Sequence, residues 1–349
     1  MQSKHIKVLF LFAMIFVIIS GCSSKKAPSP STPATSVTPS PTVSETPDTE
    51  KELKKIKVTL DWMPNTNHTG LYVAQAQGFY KNAGLEVEII QPGNGGAEQM
   101  VASGEVPFGI SYQETVTMSR LQHVPIVSIA AVIQHNTSGY AAPKDRGFQT
   151  PKDFEGKTYS GYGSATEEAL LGSVMQSVDA DVNEVKMISV GSGDFFTSTK
   201  KDIDFALIYY AWTGIQAELL NEPLDVFYLK DYSEALDFYT PVLITNEDLI
   251  DKDPELVRAF MKATSEGYQF AIENSEKAAD DLLNAVPDLD RDLVVASQQW
   301  LATRYQDDAP RWGEQKLSVW ENYANWMFEN KLLDDKLDAP KAFTNDFLP

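Results

Sequence analysis

From residue 54 onward one pattern recurs: a short apolar run, a turn, an amphipathic stretch, another turn. In "IKVTL", Ile56, Val58 and Leu60 alternate with polar residues and read as a strand entering a sheet. "LYVAQAQGFYKNAGL" follows as a helix, with Gly84 placed to cap its C-terminus. Strand signals return in "LEVEIIQ", "VPFGISY" and "PIVSIAAVIQ", separated by helical "GGAEQMVASGE" and "ETVTMSRLQH". Strands that alternate with helices over short connections predict an α/β fold with a largely parallel sheet.

A second set begins at "GKTYSGYG" and runs through "SATEEALLGSVMQS", "VKMISVG", "DFALIYY", "AWTGIQAELL" and "LDVFYLKD". After one more buried strand in "YTPVLITNEDLI" the chain turns helical. Asp253 is placed to N-cap a helix with Pro254 at its first position. Leu256, Val257, Phe260, Met261, Thr264 and Tyr268 then recur at three- and four-residue steps, marking one buried stripe. The plan is two α/β lobes, a first of 53–142 plus 241–349 and a second of 143–240. The chain is expected to cross between them near Gly139–Arg146 and Asp237–Leu243, both hinge candidates, with a ligand cleft between the lobes.

The chain opens on a different kind of segment. Lys4 and Lys7 precede "VLFLFAMIFVIIS", an apolar run too short to span a membrane comfortably. Ile19-Ser20-Gly21-Cys22 resembles the bacterial lipobox, so residues 1–21 read as a lipoprotein signal peptide and Cys22 as the acylated residue. Cys22 is the single cysteine of the 349 residues, which excludes disulfides and cysteine metal sites within the chain. Residues 22–52 are mostly Ser, Thr and Pro and cannot bury enough apolar surface to offset their ordering entropy, which predicts a disordered tether. Roughly 295 residues follow, which suits two lobes better than one small core. The expected location is the outer face of a bacterial cell membrane, lipid-anchored, as a monomer. The net charge of −20 argues against nucleic acid and favours neutral or cationic small ligands.

In open α/β sheets ligands sit beyond the carboxyl ends of strands, at helix N-termini. Four segments end strands with polar or aromatic residues: 61–68, 111–114, 161–167 and 209–212. Trp62 is the first candidate: an indole at a strand end can stack on a planar heterocycle, worth about 1–3 kcal/mol, or pack beneath the turn as core. Asp61, Asn65 and Asn67 can serve ring nitrogens and an exocyclic amine, or simply form the turn. His68 is either a ligand partner or a helix cap. In "SGYGSATEE", Thr166 replaces the third glycine of a dinucleotide fingerprint and no Gly-Lys-Ser/Thr follows. What is left is a tight turn, Gly161, Gly163 and Ser164, exposing backbone N–H groups with Glu167 nearby: a ligand contact or a plain capped turn. Tyr112, Glu114, Tyr210 and Trp212 can supply a second aromatic wall and a carboxylate, or be structure. No catalytic or metal site is indicated: His68, His123 and His135 form no close pair, and no G-x-S-x-G occurs. The four tryptophans from Trp300 to Trp326 read as packing.

The stretches "VTLDWMPNTNHTGLYVAQAQGFYKNAGLEVEI", "GSGDFFTSTKKDIDFALIYYAWTGIQAELL" and "PVLITNEDLIDKDPELVRAFMKATSEGYQFAI" resemble the thiamine-pyrimidine-precursor family, over residues 55–345. That family contains the yeast pyrimidine synthase and solute-binding lipoproteins of bacterial ABC importers. The resemblance implies a type II periplasmic-binding-protein fold, an aminopyrimidine cargo such as N-formyl-4-amino-5-aminomethyl-2-methylpyrimidine, a partner permease and ATPase, and no cofactor. Relatives that bind riboflavin, alkanesulfonates or nitrate supply the alternative cargoes. The synthase branch uses pyridoxal phosphate, a histidine of the protein, iron and a cysteine-rich run. By the resemblance its lysine and histidine would fall in "SYQETVT" and its cysteines at "ALDFYT", and neither segment contains them. Its N-W…P…H pattern does match, as Asp61-Trp62, Pro64 and His68, with Asp in place of Asn.

Overall fold

The computed structural model describes residues 52–349 other than 94, 190 and 192. The signal segment, Cys22 and the tether up to residue 51 lie outside the described residues. The alternation of "IKVTL" becomes β1 (Lys54–Thr59), with Ile56 and Val58 turned into the core. Four further strands join it: β2 (Leu85–Ile90), β3 (Phe108–Ser111), β4 (Ile126–Ala131) and β10 (Val242–Asn246), in the order β2-β1-β3-β10-β4. The first three run parallel, and β10 lies antiparallel between β3 and β4. A second sheet is ordered β7-β6-β8-β5-β9, built from β5 (Ser138–Pro143), β6 (Thr158–Gly161), β7 (Lys186–Ser189), β8 (Phe205–Tyr209) and β9 (Leu224–Tyr228). Here β5 is the antiparallel member, bonded on both edges to β8 and β9. The fold is α/β with two mixed sheets, and the chain passes between them twice.

The first passage lies earlier than the sequence suggested. Ser138–Pro143 belongs wholly to the second sheet, so the chain crosses over residues 132–137, not Gly139–Arg146, and the second lobe begins at 138, not 143. Gly139 makes that pairing possible, because a Cβ there would stand 2.8 Å from the Phe227 carbonyl oxygen. The return passage spans 229–241, within which Asp237 was expected. The two passages are tied to each other: Asp237 accepts the Asn136 backbone N–H (2.8 Å) and pairs with His135 Nδ1 (2.6 Å), and Asn136 Nδ2 donates to the Leu236 carbonyl (2.9 Å).

His135 Nε2 also lies 3.3 Å from Asp308. The hydrogen bond to Asp237 raises the imidazole pKa above its ordinary value; burial opposes this, and the charges of Asp237, Asp308 and Asp307 reinforce it. For a raised base, the stabilisation is fully present below its unfolded pKa of about 6.5 and is lost as pH rises through the folded value. His135→Asn should therefore lower the urea midpoint most near about pH 6 and least near about pH 9. A deficit independent of pH would show that the charge at this crossing contributes nothing.

The C-terminal helices do more than complete the first lobe. Helix Pro254–Glu273 does lie there, placing Leu256, Val257, Phe260, Met261 and Tyr268 in the first core. Helix Leu317–Glu329 is shared, with Trp320 in a cluster under the first sheet and Tyr323, Trp326 and Met327 in the core of the second. Trp326 Nε1 donates to Ser173 of the second lobe (2.9 Å). Trp312, Trp320 and Trp326 are buried as packing, in line with the sequence reading.

Candidate functional site

The turn after β1 is stiffened from within. Asn65 caps the short helix Thr66–His68: its side chain accepts the Asn67 backbone N–H (2.9 Å) and donates to the Met63 carbonyl (3.1 Å). His68 completes a capping box, since its Nδ1 accepts the Asn65 backbone N–H (3.2 Å). That bond puts the ring proton on Nε2, which donates to Asp61 Oδ1 (2.6 Å). His68 is fully buried and both its nitrogens are engaged, so it caps a helix and orients Asp61 instead of meeting a ligand. Asn65 is likewise a turn former.

The same turn is held from below by distant residues. Tyr268 Oη donates to the Asn67 carbonyl (2.7 Å), Tyr305 Oη to the Thr66 carbonyl (2.6 Å), and Thr66 and Ser297 share a hydroxyl bond (2.6 Å). With the backbone pinned, Trp62 and Met63 are left outside. Trp62 is 56% exposed, so its indole is not core, and the packing alternative for it fails.

Asp61 lies at the base of this turn. Its Oδ2 accepts the Tyr112 hydroxyl (2.6 Å), which links the ends of β1 and β3. Burial pushes the Asp61 carboxyl up, but the His68 and Tyr112 contacts outweigh it and hold the pKa below the usual value. The Tyr112 hydroxyl is pushed far up, by burial first and by Asp61 second. Glu114, at the start of helix Gln113–Leu121, is raised by burial first and also by the charge of Glu167, with Thr166 near enough to oppose the shift. Thr166 and Glu167 stand on the second lobe, so Glu114 is a point where the lobes meet.

The loop after β6 runs into helix Ala165–Gln176, capped by Ser164. Its N–H groups were expected to face a ligand, and they face Glu167. Oε2 of Glu167 accepts the backbone N–H groups of Tyr162 (2.8 Å), Gly163 (2.9 Å) and Ser164 (3.3 Å), and Oε1 accepts the Tyr159 hydroxyl (3.1 Å).

At the end of β8 the structure selects a neighbour of the expected residues. Tyr210 turns toward the first lobe, where its ring meets Trp300 (5.2 Å between centroids) and its hydroxyl bonds Glu218. Trp212 packs against the cluster of Tyr72, Ala279, Leu282 and Val294. Both belong to the contact between lobes. Tyr209 takes the place foreseen for them. Its side chain is half exposed, within range of the charges of Glu114, Asp61 and Glu167 and of Tyr162. Tyr162 is 65% exposed on the opposite loop. Strand alternation gives no signal for Tyr209, because β8 is buried at both Phe205 and Ile208, on opposite faces.

Asp61, Trp62, Tyr112, Glu114 and Glu167 are thus joined by Tyr209 and Tyr162 at the carboxyl ends of β1, β3, β6 and β8. The arrangement offers three carboxylates and several aromatic faces, and none of these residues is a lysine or arginine. It suits a flat, nitrogen-rich, neutral or protonated guest. Two surface grooves, of about 450 and 730 Å³, lie elsewhere, beside Asp280 and Arg291 and beside Arg120 and Lys336; neither includes a strand end.

Comparison with known proteins adds three findings. The model of the NMT1/THI5-like family matches residues 65–278. Among curated relatives, the chain is 27% identical to a formylaminopyrimidine-binding protein of Halalkalibacterium halodurans over 304 residues, 85% of this chain and 91% of that one. It is 24% identical to a riboflavin-binding protein, RibY, of Chloroflexus aurantiacus, covering 99% and 98%. It is also 24% identical to a 4-amino-5-hydroxymethyl-2-methylpyrimidine phosphate synthase of Legionella pneumophila, covering 84% and 92%. Among solved structures, the periplasmic aliphatic sulphonate binding protein SsuA of Escherichia coli superposes with a TM-score of 0.65 at 12% identity, over 83% of this chain and 91% of that one. The two-sheet architecture is the periplasmic-binding-protein fold.

Proposed function

Because the chain belongs to the NMT1/THI5-like family, we propose that it is the solute-binding receptor of an ABC importer and that it captures a thiamine-derived aminopyrimidine of the formylaminopyrimidine kind. It works at the outer face of the cell membrane, held there by an acyl anchor on Cys22, and hands its cargo to a permease and ATPase. The observation that carries this reading is Trp62, exposed at a strand end directly beside a buried, ionised Asp61. The indole stacks on the pyrimidine ring while Asp61 and Glu114 accept from its amino group and, on the protonated ring, from its ring N–H. Tyr209 and Tyr162 close over the other face from the second lobe, in place of Tyr210 and Trp212. Site residues on both lobes make closure a consequence of binding.

A receptor is favoured over a synthase by residue chemistry. The segment 111–117 offers neither lysine nor histidine for an aldehyde cofactor, and His68 is spent on Asn65 and Asp61. A Schiff-base absorbance band on adding pyridoxal phosphate would revive the enzyme reading.

Thermal-shift and calorimetric titration with formylaminopyrimidine, thiamine, riboflavin and taurine test the cargo. The aminopyrimidine should raise the melting temperature most. Trp62→Ala should weaken its binding by about 1–3 kcal/mol, roughly 5- to 150-fold in Kd, with little effect on the unliganded protein. Stabilisation by taurine alone, or by riboflavin alone, overturns the assignment.

A further inference from the structure

We infer, on the reading of the cleft as a solute site, that Tyr323 and Thr117 are positioning residues for Glu114: their hydroxyls donate to its carboxylate when that carboxylate takes the guest's amino group. Among the described residues, four buried side-chain atoms lack a hydrogen-bond partner: Thr117 Oγ1, Tyr140 Oη, Asp225 Oδ2 and Tyr323 Oη. A buried hydroxyl without a partner destabilises the fold that keeps it, so its presence calls for a use. Two of the four converge on one site residue.

Helices Gln113–Leu121 and Leu317–Glu329 pack against each other and advance in the same direction. Gln113 Nε2 donates to the Val319 carbonyl (3.1 Å), Val116 clusters with Trp320, and Met118 and Leu121 pack on the cluster of Tyr323, Trp326 and Met327. Four residues beyond the Gln113–Val319 bond, Thr117 and Tyr323 hold corresponding places on the facing surfaces. Glu114 stands three residues before Thr117, on the same side of its helix. Tyr323 lies within range of the Glu114 charge and of Tyr209. Its ring is held by stacking on Phe238 (4.1 Å between centroids) and Trp326 (5.5 Å), so its hydroxyl cannot turn elsewhere for a partner. Glu114 is half-buried and outside those stacks, which leaves it as the side chain that moves. Burial, and the charge of Glu167 across the cleft, favour its neutral form. A guest that brings an amino group favours the charged form, and a carboxylate charged in a closed cleft needs donors of its own. Two waiting hydroxyls supply them.

The test is a mutant cycle read by differential scanning calorimetry and calorimetric titration, on wild type, Y323F, T117V, E114Q and each hydroxyl deletion combined with E114Q. Without solute, Y323F and T117V should melt at the wild-type temperature or up to about 4 °C above it. Each should raise the Kd for the aminopyrimidine about 3- to 30-fold beside Glu114, and less than about twofold beside E114Q. A solute-free Y323F that melts clearly below wild type overturns the inference, because its hydroxyl then already serves the fold. So does Y323F with wild-type affinity, and so do losses that persist undiminished beside E114Q, the mark of a hydroxyl that acts without Glu114. If wild type takes riboflavin or taurine in place of the aminopyrimidine, the cargo assignment fails, and the same cycle run with that solute decides the role of the two hydroxyls separately. Wild type that binds none of them sinks both.

Discussion

Asp61→Ala is expected to abolish measurable aminopyrimidine binding and to lower the melting temperature by about 5–15 °C. Two polar groups lose their acceptor at once: the Nε2–H of fully buried His68 and the Tyr112 hydroxyl. An unmet buried donor costs about 1–3 kcal/mol, so the fold loses about 2–6 kcal/mol before any ligand is considered. Asp61→Asn separates the two effects. Its amide oxygen can still accept from His68 and its NH₂ can donate to a reoriented Tyr112 hydroxyl, so the fold is largely kept. The charge is gone, however, and with it a charge-assisted bond to the guest's amino group, worth about 1.5–3 kcal/mol or roughly 10- to 150-fold in Kd. An asparagine variant that binds as well as wild type would show that Asp61 supports the turn without touching the cargo.

Gly267→Ala is expected to remove about 3 kcal/mol of stability and to weaken binding although it lies outside the cleft. Helix Thr69–Ala76 crosses helix Pro254–Glu273 so closely that a Cβ on Gly267 would fall 2.1 Å from the Gly70 carbonyl oxygen and 2.9 Å from Ala74 Cβ. Backbone atoms cannot yield as a side-chain end can, so the helices must part. The next residue, Tyr268, carries the bond to Asn67, and the opposing Gly70 would itself bring a Cβ within 2.3 Å of the Tyr268 ring. Parting the helices therefore loosens the turn that presents Trp62. Differential scanning calorimetry should show a melting temperature lower by roughly 6–12 °C, and titration a Kd raised about tenfold. A fully stable variant would mean that this crossing is far more compliant than its contacts indicate.

Much of this architecture is written locally. The period-two pattern of "IKVTL", the polar cluster at its end and the stripe along Pro254–Glu273 each follow from neighbours in the chain, and the structure contains all three. What local pattern could not give is anything decided by partners far away. His68 reads equally as ligand or cap until Asn65 and Asp61 are seen around it. The supports of the turn, Tyr268 and Tyr305, are 201 and 239 residues from the carbonyls they hold. Tyr209 and Tyr210 are neighbours in the chain, but Tyr209 ends β8 and Tyr210 opens the helical turn after it, a boundary the sequence pattern does not mark. The crossing was misplaced because "SGYAAP", with glycine and proline, resembles a loop; the polar run of Gln134 to Thr137, whose hydrogen bonds join the two passages, was the better marker. Glu167 was seen beside the glycine turn, but nothing in "SGYGSATEE" says which way its carboxylate folds.

The helix Leu317–Glu329 limits how this molecule can gape. Trp320 is rooted under one sheet and Trp326 under the other, so the rod cannot slide away from either half without exposing an indole. Any change in the angle between the halves must therefore keep both indoles covered, which ties the two cores to one rod.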